Sequence, residues 1–272
     1  MARVLVLSSQ VAVGHVGLSA AQPVLQALGH QVTGLPTVML SNHLGFETHG
    51  AHDLDPRKIE AVLAGIVGNG WLADHDAVLI GYLPTPEFVD LAVALIEQSR
   101  AARPDIRVIV DPVLGDHPKG LYIAADTAEA IRTRLVARAD CLTPNRFEAA
   151  WLTGQPVEDL RTARHCAQTL HDRTGAEVFV TSAPTGPGQT GVLGMGHTAR
   201  LWRHPLRAAV PAGVGDTFSA LLAAGVPAGA ALGHLDALVA ASLGQPHLAI
   251  VQTQDTWRAA APLPEESLPD GL

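Results

Sequence analysis

Four short runs of apolar residues without alternation constrain the fold of this chain most. Small or turn-forming residues flank each run, and the runs are Val4–Leu7, Val78–Ile80, Val108–Val110 and Val178–Val180. A strand with one face in water alternates apolar and polar residues, whereas a strand that is buried on both faces does not. The runs therefore predict a parallel sheet that is covered on both sides.

Amphipathic segments between these runs supply the cover. Two stripes have the i, i+3, i+4, i+7, i+8 spacing of a helix face: Ile59, Val62, Leu63, Ile66 and Val67, and then Phe88, Leu91, Ala92, Leu95 and Ile96. Alternating strands and helices with right-handed crossovers predict an α/β fold, a doubly wound, mostly parallel sheet sandwiched by helices. A strand-rich piece over Thr190–Leu206 predicts antiparallel strands at one edge of that sheet.

The length of the chain and its last residues indicate one domain with a tail. With 272 residues, 47% of them hydrophobic, the chain can bury a large core, and no linker or internal repeat divides it. We expect a single domain over residues 1–261. Residues 262–272 include three prolines and three acidic residues, which predicts a flexible C-terminal tail.

Charge and hydropathy argue against two classes of partner. The net charge is −8 and only Lys58 and Lys119 are lysines, which leaves no basic face for nucleic acid and no polybasic membrane patch. The apolar stretch Phe218–Gly244 is interrupted by Pro227, so it predicts two buried helices joined by a turn rather than a membrane span. We expect a soluble, cytoplasmic protein.

A glycine-rich segment before a late helix is the strongest functional signal. Pro211–Thr217 contains Gly213 and Gly215 and precedes an alanine- and leucine-rich helix. The free N–H groups in the first turn of a helix form an anion site, and glycine lets a ligand approach the backbone. Asp216 is unexpected there, because a carboxylate repels an anion unless it takes a proton from an attacking hydroxyl. The alternative is that Asp216 only caps the helix, and the spacing does not decide between these roles.

Two further segments place polar residues directly after strands. Asp111–Asp116 follows the third apolar run and, viewed alone, is typical of a turn. In Thr143–Glu148, Asn145 and Glu148 are three residues apart at the start of a helix, as in a capping box. The alternative is that Asp111 and Glu148 bind Mg²⁺ through water, as is usual beside phosphates. Ligands of such sheets bind beyond the carboxyl ends of the strands, where both segments are expected.

Taken in this order, the three segments resemble the ribokinase-like superfamily of small-molecule kinases. The shared pattern is a strand-end DPVLG, then PN-x-x-E, then G-x-G-D at a late helix. Within the superfamily the chain is similar to the pyridoxal kinase family over nearly its whole length, on SSQVAVGHVG at residues 8–17, TVMLSNH at 37–43 and GYL at 81–83. The resemblance implies a ribokinase-like fold and ATP-dependent phosphorylation of the 5-hydroxymethyl group of pyridoxal, pyridoxine or pyridoxamine in vitamin B6 salvage.

The resemblance also implies roles for individual residues. Asp216 would be the general base on the hydroxyl of the vitamer, and the N–H groups of Gly213, Val214 and Gly215 would form the anion hole for the transferred phosphoryl group. Contacts to the vitamer are implied for Ser9, His43, Leu44, Gly45 and Tyr82. Contacts to ATP are implied for Asp111, Thr143, Asn145, Glu148, Thr181, His204, Pro205, Leu206 and Arg207.

ATP as co-substrate implies Mg²⁺, which Asp111 and Glu148 would bind, and the resemblance leaves a monovalent-cation requirement open. A flap over ATP, His117–Ile123, would carry Lys119 and Tyr122. The resemblance further implies a homodimer. Val13 and Thr181 depart from residues common in bacterial members of the family.

Two alternatives to a pyridoxal kinase are kept. One is a hydroxymethylpyrimidine kinase of thiamine biosynthesis, from the same superfamily, although its members usually open with a Gly/Ser-rich segment in place of SSQVAVGHVG. The other is a non-catalytic vitamer-binding protein with a kinase fold, against which the acids Asp216, Asp111 and Glu148 argue. Release of ADP with pyridoxal, compared with release with the hydroxymethylpyrimidine and with ribose, distinguishes these hypotheses.

Overall fold

A computed structural model describes residues 1–266 and 268 of the chain. Its strands are β1 (Arg3–Val11), β2 (Gln31–Leu40), β3 (Ala51–Asp53), β4 (Ala77–Ile80), β5 (Arg107–Val110), β6 (Gly115–Asp116), β7 (Gly120–Leu121), β8 (Cys141–Leu142), β9 (Glu177–Pro184), β10 (Gln189–Met195) and β11 (Ala199–Pro205). Its α-helices are α1 (Leu18–Ala27), α2 (Pro56–Gly68), α3 (Pro86–Ala102), α4 (Ala125–Ala130), α5 (Arg146–Thr153), α6 (Leu160–Thr174), α7 (Val214–Ala223), α8 (Ala228–Ser242) and α9 (Gln254–Arg258).

One mixed sheet organises the chain, in the strand order β11-β10-β9-β8-β5-β4-β1-β2-β3. The inner strands from β9 to β2 pair in parallel, and β10, β11 and β3 add antiparallel edges. The predicted α/β sheet and the antiparallel edge over Thr190–Leu206 are therefore confirmed. A separate hairpin is formed by β6 and β7.

The first strand shows why the apolar runs do not alternate. Val4, Leu5, Val6 and Leu7 are all fully buried. Leu5 and Leu7 pack into a core with α2, α3, α5 and α6, while Val4 and Val6 pack on the other face with α1, α7 and α8. A strand between two helical layers needs apolar side chains at every position, so the sequence loses the period of two.

The helices confirm one predicted stripe and correct the other. Phe88, Leu91, Ala92, Leu95 and Ile96 of α3 are all buried. On α2 only Ile59 and Leu63 are buried, and Val62 and Val67 are 55% and 39% exposed, so the prediction that the whole stripe docks on the sheet is wrong. The stretch Phe218–Gly244 forms two helices, α7 and α8, as expected. Within the described residues, no helix is both long enough and apolar enough to cross a membrane.

The strand β2 has no clear signal in the sequence: it contains Gly34 and Pro36, and only four of its ten residues are buried. It pairs with β1 in parallel and carries the antiparallel edge strand β3 on its other side. Glycine and proline inside an apolar run weaken the sequence signal of a strand. In the structure β2 nevertheless pairs with β1 at Gly34 and Pro36. The strand positions the loop over residues 41–50 beside the end of β1.

The first residues of the expected tail contact the domain. The N–H of Leu263 donates to the carbonyl of Gly229 at 2.8 Å, and that of Glu266 donates to Leu201 at 2.8 Å. Arg203 forms an ion pair with Glu266. A tail that begins at residue 262 stays a prediction, and its residues 267 and 269–272 lie outside the described part of the chain.

Candidate active site

The site is assembled where the parallel strands β1, β4, β5 and β8 end and α7 begins. Gly213 precedes α7 with φ of 103°, a conformation that favours glycine, and a Cβ there would collide with the carbonyl oxygen of His15. Among residues 1–266 and 268, no side chain caps this helix, so the N–H groups of its first turn have no side-chain acceptor at the cap. The loop over residues 12–17 therefore lies directly against the start of α7, and glycine makes that contact possible.

Asp216 lies in the first turn of α7 and does not cap it, because the capping position belongs to Gly213. The nearby backbone N–H groups of Gly17 and of Asp216 itself lower the pKa of its carboxyl. Burial raises the pKa more, and the net direction is upward from the usual value of 3.8. A carboxylate with a raised pKa is a better proton acceptor when ionised, so the arrangement suits a general base.

Asp111 is a second acid of the site, and it is buried. It follows β5, its side chain is 7% exposed, and Ser219 on α7 donates a hydrogen bond to its Oδ2 at 2.7 Å. Burial, and after it the charges of Glu148 and Asp216, raise the pKa of Asp111 well above its usual value. Val113, two residues on, adopts φ of 42°, which is rare for a β-branched residue and marks the turn as strained.

Glu148 combines a capping role with a second one. Its Oε2 accepts the N–H of Asn145 at 2.8 Å, and Asn145 Oδ1 accepts the N–H of Glu148 at 3.0 Å, which completes the capping box at α5. Its Oε1 accepts the N–H of Leu114 at 2.9 Å. Burial raises the pKa of Glu148 to about 7. Glu148 therefore ties the turn after β5 to the start of α5.

Mg²⁺ is implied by a kinase, and the acids present fit it. The charges of Glu148 and Asp216 raise the pKa of Asp111, and burial raises the pKa of all three acids. A divalent cation nearby would stabilise the ionised carboxylates. Among the described residues, no three His, Cys, Asp or Glu side chains converge on one metal position. Proteins usually bind Mg²⁺ through one or two carboxylates, waters and substrate phosphates.

A cleft of about 590 Å³ opens beside the start of α7. Val214 and Gly215 lie on its wall, and so do five of the residues expected to contact ATP: Thr181, His204, Pro205, Leu206 and Arg207. The other four, Asp111, Thr143, Asn145 and Glu148, do not line the cleft and lie at the strand ends next to it. Arg207 is held by an ion pair with Asp236 at 2.8 Å.

The apolar wall of the cleft escaped the sequence analysis. It includes Phe218 and three residues of α8, namely Leu232, Leu235 and Val239. Because α8 is apolar on most of its surface, its pattern alone does not separate the face toward the cleft from the face toward the core. An apolar wall of this kind suits the flat ring of a ligand.

The residues expected to contact the vitamer lie at the ends of β1, β2 and β4. Ser9 is 7% exposed and occupies a break in the β1–β2 register. Tyr82 packs against an apolar cluster of Val11, Val16, Val38 and Leu40, and Thr37 Oγ1 donates to its carbonyl at 2.8 Å. The structure thus gathers Ser9 and Tyr82 at one end of the sheet.

The remaining expected contacts belong to the loop over residues 41–50. The N–H of Gly45 donates to His43 Nδ1 at 3.1 Å, and Leu44 is 47% exposed. Burial and, after it, the charge of Lys119 lower the pKa of His43. Lys119 lies between β6 and β7, so this hairpin comes close enough to the loop to act on it electrostatically.

The β6–β7 hairpin is anchored at its base. Asn145 Nδ2 donates to the carbonyl of Gly115 at 2.8 Å, and the N–H of Tyr122 donates to Leu114 at 2.8 Å. Asp116 and His117 line the cleft, which agrees with the expectation of a flap beside ATP. The same Asn145 therefore caps α5 and positions the base of the hairpin.

One contact of this region has no signal in the sequence. The rings of Phe46 and His247 lie 5.3 Å apart between centroids. A Cβ on Gly14, which has φ of 100°, would approach His247 Nδ1 to 2.6 Å. The segment after α8 therefore contacts both the loop over residues 12–17 and the loop over residues 41–50, far from either in sequence.

Comparison with known proteins identifies the family. The phosphomethylpyrimidine kinase family matches residues 20–241. The pyridoxine/pyridoxal/pyridoxamine kinase of Bordetella pertussis is 38% identical over 222 residues, which cover 79% of this chain and 78% of that protein. The pyridoxal kinase PdxY of Deinococcus radiodurans is 36% identical over 229 residues, covering 80% of this chain and 76% of that protein.

A solved structure agrees over the whole fold. The pyridoxal kinase of Leishmania donovani, in complex with ADP and pyridoxamine, superposes with a TM-score of 0.91 at 29% identity and covers 99% of this chain and 100% of that chain. The resemblance stated from the sequence motifs is thereby confirmed. The chain belongs to the pyridoxal kinase family of the ribokinase-like superfamily, whose members are phosphotransferases.

Proposed function

We propose that this protein transfers the γ-phosphoryl group of ATP to the 5-hydroxymethyl group of pyridoxal, and of pyridoxine and pyridoxamine, for vitamin B6 salvage. The observation that carries the proposal is the position of Asp216. This half-buried acid lies in the uncapped first turn of α7, between the cleft and the loop over residues 12–17. Such a position suits a base that takes a proton from a hydroxyl while N–H groups bind the phosphoryl group.

The proposed binding mode follows from the two sides of α7. The adenine of ATP would lie along the apolar wall of the cleft, near Pro205 and Leu206, with its phosphates toward the N–H groups of Gly213, Val214 and Gly215. The vitamer would lie on the other side, with its ring at Ser9, Tyr82 and His43. In this binding mode the hydroxyl would lie next to the γ-phosphorus, with the Asp216 carboxylate beside the hydroxyl.

The transfer needs one proton acceptor and stabilisation of negative charge. Asp216 accepts the proton of the substrate hydroxyl while the hydroxyl oxygen bonds to the γ-phosphorus. The bond from the γ-phosphorus to the β–γ bridging oxygen breaks, and ADP is released. The first turn of α7 stabilises the charge on the transferring oxygens. Asp111 and Glu148 would bind Mg²⁺ through water, and the ion would neutralise charge on the β- and γ-phosphates.

A second candidate function has a specific observation in its favour. The family that matches residues 20–241 is described as phosphomethylpyrimidine kinase. A hydroxymethylpyrimidine carries the same primary alcohol on a six-membered ring with a second nitrogen, so Asp216 could serve either substrate. We favour the vitamer because the curated relatives that match over more than three quarters of their length are pyridoxal kinases.

The experiment is an assay of ADP release with pyridoxal, hydroxymethylpyrimidine and ribose as acceptors, at saturating Mg·ATP. We expect turnover with pyridoxal and a kcat/KM at least about a hundred-fold lower for the other two. Faster turnover of hydroxymethylpyrimidine would establish the second candidate. Binding of pyridoxal without any ADP release would establish a vitamer-binding protein.

We also propose a cytoplasmic homodimer. ATP is available in the cytoplasm, and three large apolar side chains are exposed on α2 and the turn after it: Val62 at 55%, Val67 at 39% and Trp71 at 56%. A second copy of the chain would cover this face. Sedimentation should give twice the chain mass for the unmodified protein and one chain mass for Trp71→Glu, while Val251→Glu, an exposed residue elsewhere, should remain dimeric.

A further inference from the structure

A buried serine on α7 connects three segments of the site. Ser219 is 1% exposed and lies one helical turn after Gly215. Its Oγ lies 2.7 Å from Asp111 Oδ2, 2.9 Å from Thr143 Oγ1 and 2.9 Å from the carbonyl oxygen of Gly215. Asp111 and Thr143 are 108 and 76 residues away from Ser219 in sequence. Gly215 belongs to the predicted anion hole.

The chemistry of the hydroxyl decides which group donates. Ser219 has one O–H to donate and two lone pairs, and a carboxylate is a stronger acceptor than a backbone carbonyl. Ser219 therefore donates to Asp111, and Thr143, as the neighbouring hydroxyl, donates to Ser219. The result is a directed chain of hydrogen bonds from Thr143 through Ser219 to Asp111.

This chain does more than fill the core. Asp111 is a buried carboxylate beside two other acids, so its orientation depends on the donors around it. Ser219 joins that carboxylate to the helix whose first turn carries Gly213, Val214 and Gly215. Alanine would suit the helix equally well, since Ala220 and Ala223 are its buried neighbours. The hydroxyl therefore needs a reason other than helix formation.

We propose that Ser219 is a positioning residue for phosphoryl transfer. It fixes the position of the Asp111 carboxylate relative to the anion hole at the start of α7. The inference rests on the proposed kinase function and extends it to a residue outside the G-x-G-D motif. Ser219 is buried and does not line the cleft. It acts through Asp111, on the side where the metal and the phosphates would be bound.

The test compares Ser219→Ala and Ser219→Cys with a matched control. The cysteine keeps the volume of the side chain and removes the strong donor, so it separates hydrogen bonding from packing. The control is Ser99→Ala on α3, because Ser99 is equally buried and its hydroxyl bonds only to the carbonyl of Leu95 at 2.7 Å. Should the alanine variant fold poorly, the cysteine variant serves the same comparison.

We expect kcat to fall about ten-fold in both Ser219 variants, with the KM for pyridoxal changed less than about two-fold. The second readout needs no turnover: the Mg²⁺ concentration that gives half of the thermal stabilisation by ADP should rise about ten-fold. Ser99→Ala should change neither quantity. A positioning role predicts both effects together, whereas a packing role lowers only the melting temperature.

Two results would overturn the inference. One is an unchanged Mg²⁺ midpoint in Ser219→Ala and Ser219→Cys, and the other is a normal kcat in the cysteine variant. Failure of the proposed function is a separate outcome, namely no ADP release by the unmodified protein with pyridoxal. In that case the Mg²⁺ midpoint with ADP still decides the role of Ser219.

Discussion

The two sides of the site are built from different contacts. On the side of α7, Asp111, Thr143, Glu148 and Ser219 are at most 7% exposed. Ser219 is hydrogen-bonded to Asp111 and Thr143, and Glu148 accepts the N–H of Leu114. On the side of the loops after β1 and β2, Val13, Leu44 and Phe46 are 39–59% exposed. Buried polar groups need defined partners, whereas exposed apolar groups can repack around a ligand.

This difference indicates that the buried side serves the chemical step and that the exposed side serves substrate specificity. The buried side presents an arrangement that exists before a ligand binds, as stabilisation of developing charge requires. The exposed side meets the part of the substrate that varies among the vitamers. Substitutions on the buried side should therefore change kcat or stability, and those on the exposed side should change KM.

The largest effect is expected at Asp216. Asp216→Asn keeps the size of the side chain and removes the proton acceptor, so kcat should fall by about 10²–10⁴-fold while the melting temperature is nearly unchanged. Steady-state kinetics at saturating pyridoxal and Mg·ATP measure it. A variant with near-normal kcat would show that Asp216 is not the base and would remove the main distinction between the two sides.

Glu148→Gln should destabilise the protein and raise its Mg²⁺ requirement. A capping box alone would accept glutamine, but Glu148 takes one N–H on each oxygen, and glutamine has only one acceptor oxygen for Leu114 and Asn145. We expect a loss of about 1–3 kcal/mol in the free energy of unfolding. Denaturation at pH 8, above the pKa of about 7, measures this for the ionised carboxylate.

The matched control for Glu148 is Glu158→Gln, because Glu158 is exposed and its side chain has no comparable role. The initial rate against free Mg²⁺ at fixed ATP gives the second measurement. Equal stability and equal Mg²⁺ curves for both variants would leave Glu148 without either role. Loss of stability with an unchanged Mg²⁺ curve would leave it as a structural residue.

His247→Ala should raise the KM for pyridoxal about three-fold and leave the KM for ATP unchanged. The ring of His247 packs on Phe46, and such a contact contributes about 0.5–1.5 kcal/mol. Phe46→Ala should give a similar change, and the double variant should add little, because both remove one contact. Independent, additive effects would show that the contact does not order the loop.

The smallest expected effect concerns His43. Burial and the charge of Lys119 lower its pKa below 6.5, so the imidazole is neutral at neutral pH. Because the folded pKa is below the unfolded one, this group costs stability only as the pH falls below about 6.5. In Lys119→Gln an NMR titration should place the pKa of His43 higher than in the unmodified protein. An identical pKa would mean that the β6–β7 hairpin does not reach this loop.

Local patterns were sufficient to predict much of this molecule. The absence of alternation in Val4–Leu7 indicated a doubly covered sheet, and both faces of β1 are indeed packed. The capping box of Asn145 and Glu148 was visible as a three-residue spacing. These features depend on neighbours within about one turn of chain, where the sequence order and the spatial order coincide.

Other features were decided by strand order and packing. Val62 and Val67 have the spacing of a buried helix face, but they are exposed. The helix α2 packs on β2, next to the edge strand β3, and the sheet there covers only part of the apolar face of α2. The same spacing on α3, beside inner strands, is buried throughout. The periodicity of apolar residues predicts which face of a helix is buried, but it does not predict how much of that face the sheet covers.

What the sequence by itself determined was the fold class and the segments that end its strands, because periodicity and turn chemistry are local. Only the tertiary structure decided which of those segments touch. Ser219 meets Asp111 across 108 residues, and Glu148 accepts the N–H of Leu114 across 34. Such contacts arise because the fold places β5, β8 and α7 side by side. The physical reason is that a buried carboxylate needs hydrogen-bond donors, and only the packing determines which donors lie close to it.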